Sequence, residues 1–202
     1  MEAKYYPLEI EEKWSKVWSE RALDKTNHKN SFSQVIPPPN VTGTLHMGHS
    51  FQYAIMDFYT RYHHMKGTNS YWQVGSDHAG IATQMVVENN LANEGKTKND
   101  LGRDKFLEEI WKWKDFSEDK ITSQIKRLGC TVEWDKYRFT FDDEFCDTVN
   151  KAFVELYRSG KIYRGYRLVN WDPILKTAVS DLEVVRQEKE GVIWHIDYPL
   201  VD

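Results

Sequence analysis

Apolar positions along the chain alternate between short β-branched runs and stripes of helical period. After Pro7, the residues Ile10, Trp14, Val17 and Trp18 recur at three- and four-residue spacing, which predicts a lead-in helix from Pro7 to Ala22. The run SFSQVI, residues 31–36, is apolar and β-branched and ends at Pro37, Pro38 and Pro39, which cannot donate to a ladder. It predicts a strand. From His46 the period turns helical: Phe51, Ile55, Phe58, Tyr62 and Met65 step by fours and threes until Gly67, predicting a helix that buries this stripe. SYWQV, residues 70–74, predicts a second strand, and GSDHAG, residues 75–80, a loop into a helix over residues 81–94.

Strand, turn, helix, strand, turn, helix is the order of a parallel sheet with right-handed crossovers, so the expected fold class is α/β. Ligands in such sheets bind beyond the carboxyl ends of the strands. Residues 37–49 and 75–80 both fall just past a strand end. Further on, Phe106, Ile110, Trp113, Phe116, Ile125 and Leu128 mark a long helical region with room for a break, and Phe145, Val149, Ala152 and Leu156 mark another that stops at Gly160. Together they predict a helical insertion. LVNWDP, residues 168–173, and VIWHIDYPL, residues 192–200, predict further strands, the last with no downstream partner. There is no internal repeat and no low-complexity linker.

Composition narrows the class without changing this outline. With 40% hydrophobic and 29% charged residues in 202, the chain can bury one main core. A net charge of −4 argues against these residues alone forming a nucleic-acid surface. Lys120, Lys126 and Arg127 form one basic group and Arg158, Lys161, Arg164 and Arg167 another; both read as solvated faces. Cys130 and Cys146 stand far apart and in no zinc spacing, which predicts a reduced compartment, the cytoplasm, and no metal. The opening MEAKYYPLEIEEKW carries acids where a signal peptide needs an apolar run, and no segment is apolar enough for a membrane span.

Two segments carry the chemistry. His46 and His49 lie three apart, on one face of a first helical turn, where unpaired N–H groups and the positive dipole end favour an anion such as phosphate. Gly48 between them lets a flat ring such as adenine approach the backbone. Equally, two histidines can cap a helix and bind nothing. The three prolines can form a rigid apolar wall or merely stop a strand. Asn40 and the Asp77 carboxylate can grip an ammonium group beside that wall, though Asp77 also suits a helix cap. No HExxH, Walker A or GxGxxG pattern is present, which removes the common zinc-protease and nucleotide-loop readings. His63 and His64 read as a packing or solvated pair.

His46-Met47-Gly48-His49 resembles the HIGH signature of the class I aminoacyl-tRNA synthetases. PPPNVTGTLHMGH and WQVGSDHAGIATQMVVE are similar to its valine-specific form, and the resemblance continues through FLEEIWKWK, RLG, LVNWDP and SDLEV. It implies a Rossmann-like parallel sheet, of which residues 31–187 would be the first half, after a lead-in over residues 1–30 and before a strand, residues 188–202, that enters an editing insertion. It also implies ATP-dependent activation of valine to valyl-adenylate, with Mg²⁺ assisting, then transfer to tRNA(Val), by an enzyme expected to be monomeric. By the same resemblance His46 and His49 are the catalytic residues, contacting ATP phosphates with Gly48 against adenine, while Pro37, Asn40 and Asp77 hold valine.

Departures from the family pattern limit what is implied. No KMSKS-like loop is present, nor sequence for an editing or anticodon-reading domain, so the expectation is an amino-terminal portion inactive by itself. Asp172 stands where some relatives carry a zinc-ligating Cys, and no zinc is expected. The competing readings are an incomplete paralogue that only binds a nucleotide or a partner, an isoleucine-type synthetase, and a small nucleotidylyltransferase. The last would want basic residues for its second phosphate where Asn40 and Asp77 stand.

Overall fold

A parallel ladder organises the chain, and hydrogen bonds from one stretch of backbone in two directions define it. In the computed structural model, which describes residues 6–20 and 30–200, β1 (Ser31–Val35) pairs in parallel with β2 (Asn69–Gln73), Ser31 opposite Asn69. After Val74 the same stretch continues as β3 (Gly75–Ser76), which pairs in parallel with β4 (Arg138–Phe139). Carbonyls alternate sides along it, as strand geometry requires. Those of Trp72, Val74 and Ser76 accept from the N–H groups of Glu133, Arg138 and Thr140 at 3.1–3.2 Å, while those of Gln73 and Asp77 accept from Ile36 and Val41 at 2.9 and 3.0 Å. The β2–β3 stretch is therefore central, and the expected Rossmann-like α/β order is what forms.

Helices cover this ladder. Helix α1 (Pro7–Glu20) precedes it; α2 (Met47–Met65) follows β1, and α3 (Gly80–Asn93), α4 (Lys98–Leu101) and α5 (Arg103–Arg127) follow β3. Ile36, Tyr53, Trp72, Val74, Ile121, Ile125 and Val132 form the main buried cluster, so α2, β2, α5 and the residue that follows β1 share one core. Val87, Leu91 and Phe106 form a second between α3 and α5. Gly129, at φ 73°, turns the chain after α5; a Cβ there would lie 2.4 Å from the Trp18 ring of α1, so glycine lets the two helices approach.

By internal packing the chain divides into two units, Met1–Phe153 and Val154–Asp202. Helix α6 (Asp143–Arg158) begins in the first and ends in the second. The second holds an antiparallel hairpin of β5 (Asn170–Asp172) and β6 (Thr177–Val179). Asp172 Oδ1 accepts from the N–H groups of Ile174 and Leu175 in its turn, at 2.7 and 3.0 Å.

Several expectations need correction. The α2 stripe Phe51, Ile55, Phe58, Tyr62 and Met65 is not buried; Phe51 is 71% and Met65 87% exposed. The inward face carries Tyr53, half-buried Met56 and Thr60, two of them with hydroxyls that an apolar count passes over. Their hydroxyls are satisfied: Tyr53 donates to the Pro37 carbonyl at 3.4 Å and Thr60 to Met56 at 3.0 Å. Helix α5 is unbroken, because residues 103–127 contain neither Gly nor Pro. Strands β4 and β6, two and three residues long, are too short for a periodicity to register. Residues 192–200, with the alternation of a strand, form no ladder among the described residues. Residues 21 and 22, expected to end α1, lie outside the described residues.

The first basic group resolves into packing partners. Arg127 pairs with Glu11 at 2.7 Å, Lys126 lies over the Trp134 ring and Lys120 over Phe116. Among the described residues no helix is long and apolar enough to cross a membrane, and no three His, Cys, Asp or Glu side chains group to hold a metal ion.

Candidate active site at the strand ends

Pro37 to Leu45 carries the chain from β1 to α2. Of the three prolines Pro39 is buried, while Pro37 and Pro38 are exposed. Asp77 donates its N–H to the Pro39 carbonyl at 2.9 Å, which sets Asn40 and Asp77 opposite each other as one parallel bridge. Three side chains of α5 then pin the loop. Trp113 Nε1 donates to the Val41 carbonyl at 2.9 Å, Ser117 Oγ to Gly43 at 2.9 Å, and Gln124 Oε1 accepts from the Leu45 N–H at 2.9 Å. Positions 113, 117 and 124 share a helix face. By spacing alone Trp113 counts as apolar filling, and Ser117 and Gln124 carry no signal beyond being polar residues that interrupt an apolar stripe.

The loop delivers His46 as the N-cap of α2, with extended backbone at φ −113° and ψ 172°. Its Nδ1 accepts the Gly48 N–H at 3.1 Å, and His49 Nδ1 accepts the His46 N–H at 3.2 Å. This is a capping box built from two imidazoles. The rings stack, centroids 3.8 Å apart. An Nδ1 that accepts carries no proton, so each neutral ring holds its proton on Nε2. Burial, and then the neighbouring His46, push the His49 imidazole below its usual value, which keeps that ring neutral. Two Nε2–H donors thus stand at the positive end of a 19-residue helix. A Cβ on Gly48 would lie 2.9 Å from His46 Cε1, so glycine is also what lets the His46 ring fold back over the turn.

Asp77 follows β3. Its Oδ1 accepts the Ala79 N–H at 2.7 Å and lies 3.5 Å from Thr140 Oγ1, while Oδ2 makes no hydrogen bond or ion pair among the described residues. Ala79, the N-cap of α3, has φ 49°, a left-handed conformation that this hydrogen bond supports. Beneath it, fully buried Ser76 donates to Glu118 Oε1 at 3.0 Å, and the Tyr137 hydroxyl sits 2.6 Å from Ser76 Oγ and 2.8 Å from Glu118 Oε1. Lys114 pairs with the other oxygen of Glu118 at 2.7 Å. Helix α5 therefore holds both the loop before His46 and the strand before Asp77. Ser76, Glu118, Tyr137, His78 and Thr140 were not singled out from the sequence, which does not show that α5 and β4 meet β3. His63 stacks on Phe32 at 4.0 Å, a packing role.

A parallel α/β ladder with an imidazole-capped helix at the strand ends agrees with the class I synthetase fold that the sequence resembles. The model of the family "tRNA synthetases class I (I, L, M and V)" matches residues 9–196, and the chain belongs to that family. Among curated relatives it is similar to the valine–tRNA ligases of Neisseria meningitidis serogroups A and B, each 55% identical over 98% of this chain, and to that of Neisseria gonorrhoeae, 54% identical over 98%. The chain spans 21% of the length of these relatives. Among solved structures, LeuRS of Agrobacterium radiobacter K84, in a ternary complex with tRNA and LeuAMS, superposes with a TM-score of 0.69. That likeness covers 90% of this chain and 22% of the other at 23% identity, and it concerns the fold.

Proposed function

We propose that this chain supplies the ATP and valine half-site of a valine–tRNA ligase, which activates valine to valyl-adenylate and transfers it to tRNA(Val). The observation that carries the reading is the pair of Nδ1-accepting imidazoles, His46 and His49, which leaves two Nε2–H donors at the start of α2. Those donors suit the phosphate oxygens of ATP, and the exposed turn at Gly48 suits adenine. Pro37 and Asn40 line the valine side, and the open oxygen of Asp77 takes the α-ammonium group. A valine carboxylate oxygen forms a bond to the α-phosphorus as the bond to the β-phosphate oxygen breaks, and pyrophosphate leaves with that electron pair. Catalysis is positioning and charge stabilisation by the two imidazoles, without a covalent enzyme intermediate. Mg²⁺ neutralises phosphate charge when it arrives with the nucleotide; the described residues offer no three-ligand site of their own for it.

In the same reading residues 31–187 belong to the catalytic domain, preceded by the lead-in over residues 1–30 and followed by residues 188–202, leading toward an editing domain, within a monomeric cytoplasmic enzyme. The test places this segment in exchange for the matching part of the Neisseria meningitidis ligase and measures valine-dependent exchange of labelled pyrophosphate into ATP. Exchange is expected, and His49→Ala should lower it about 10²–10³-fold, the usual loss for one preorganised donor. Full exchange by the His49→Ala chimera, or exchange that follows isoleucine in place of valine, would overturn the assignment.

A further inference from the structure

Beside Asp77 stands a hydroxyl that three polar groups share. The His78 N–H donates to Thr140 Oγ1 at 2.9 Å, His78 Nδ1 lies 2.6 Å from the same oxygen, and Asp77 Oδ1 lies 3.5 Å from it. Thr140 is itself fixed, because its N–H donates to the Ser76 carbonyl at 3.1 Å. The imidazole and the carboxylate are also neighbours directly, with Nδ1 and Oδ1 3.7 Å apart. A threonine hydroxyl has one proton to give. It can serve His78 Nδ1 or Asp77 Oδ1, and which one it serves depends on whether Nδ1 carries a proton.

We propose that Thr140 and His78 are positioning residues for Asp77, the hydroxyl of Thr140 passing the protonation state of His78 to the carboxylate that holds the substrate ammonium group. With the ring neutral, the Thr140 proton points to Nδ1, the nearer acceptor, and Asp77 keeps its full charge for the ligand. When the ring takes a proton from solvent, Nδ1–H donates to Thr140 Oγ1 and the hydroxyl proton turns to Asp77 Oδ1. A positive ring and a donated proton then face the carboxylate, and both compete with a bound ammonium.

The surroundings of the ring leave Asp77 as its charged neighbour among the described residues. From β4 and the turn after it come Phe139, Phe141 and Thr140; from α5 comes Trp111, whose ring meets both phenylalanines. From α3 comes the Thr83 hydroxyl, which donates to the His78 carbonyl at 2.6 Å. Lys114 lies over the Phe139 ring and pairs with Glu118. The ring is 43% and the carboxylate 38% exposed, so solvent protons and a ligand both reach the pair.

The inference rests on the reading that Asp77 takes the ammonium group, and the test separates the two. The chain of residues 1–202, with isotope-labelled histidine and aspartate, is titrated by NMR through the midpoint of His78, and L-valinol, a cation without a carboxylate, is added on either side of that midpoint. Neutral His78 should show an unprotonated Nδ1, the Asp77 carboxyl signal should move with the His78 midpoint, and valinol should bind roughly two- to fivefold more weakly on the acid side, the range of half-exposed charge pairs. His78→Gln should remove the pH dependence of valinol binding. Thr140→Val should remove the Asp77 response, and Thr140→Ser should restore it. A neutral His78 with its proton on Nδ1, an Asp77 signal blind to the His78 midpoint, or the same acid loss in His78→Gln overturns the inference while leaving the ammonium reading intact. If wild-type chain binds no valinol, or Asp77→Asn binds it as tightly as wild type, the ammonium reading itself fails and takes this inference with it.

Discussion

Gly48→Ala separates what holds the helix start from what a nucleotide would need there. The added Cβ would lie 2.9 Å from His46 Cε1 and 3.0 Å from His46 Nδ1. Carbon contacts settle near ~3.5–4.0 Å, so the ring must withdraw by about 0.5–1 Å. The Gly48 N–H to Nδ1 bond is already 3.1 Å long, and that withdrawal takes it past the distance at which it remains a hydrogen bond. Loss of an N-cap costs about 1 kcal/mol. Alanine in place of glycine in a helix returns up to about 1 kcal/mol. The two nearly cancel, so folding stability should change by less than about 1 kcal/mol while the His46 donor moves off its place.

Denaturant unfolding of the chain measures the first quantity, and the His46 ring signals report whether Nδ1 still accepts. In the chimeric ligase, pyrophosphate exchange should fall about 10²–10³-fold, as for a lost preorganised donor. Two results would refute the reasoning. A stability loss of several kcal/mol would make Gly48 a packing residue, and unchanged exchange with a displaced His46 ring would remove that ring from the chemistry.

Two further perturbations probe the same framework. Ser117→Ala leaves the Gly43 carbonyl without its donor at a position where Ser117 is 1% exposed, and should cost about 1–3 kcal/mol with no change in the α5 helix itself; equal stability by denaturant unfolding would mean that the loop before His46 is held by other contacts. Acidification should weaken the start of α2, because the folded chain holds the His49 proton less tightly than the unfolded chain does, so the stability is present above the usual imidazole value and lost as pH falls through the lower folded one. His49→Gln keeps an acceptor at the same capping position without a titrating ring, so its thermal midpoint should fall less on acidification than that of the wild type; identical acid slopes would falsify the assignment.

How far the sequence could be read depended on what each pattern measures. Spacing alone places β1, β2, α2 and α3 within a residue or two of their observed limits, since strand and helix periods are local properties. Which apolar stripe faces inward is a tertiary property, and α2 shows the difference: its larger stripe stays exposed while Tyr53 and Thr60 go inside, each with a partner for its hydroxyl. The α5 side chains that grip residues 41–45 were invisible for the converse reason. Ser117 and Gln124 look like defects in an apolar stripe until the loop carbonyl and N–H that they serve are seen.

Capping and ligand binding looked like alternatives in the sequence, and the geometry makes them compatible. His46 and His49 spend Nδ1 on the backbone of the helix start, and that use fixes the proton on Nε2, the atom left for a ligand. Asp77 spends Oδ1 on the Ala79 N–H and leaves Oδ2 without a hydrogen bond or ion pair among the described residues. A side chain with two polar ends can hold its own turn with one and present the other at a fixed angle. Serine or threonine at position 46 would still cap α2, and its hydroxyl would keep a proton to donate, but from the capping oxygen itself at the helix start and not from an atom on the far side of a ring. The choice of imidazole over hydroxyl at this N-cap is therefore the part of the pattern that capping alone leaves unexplained.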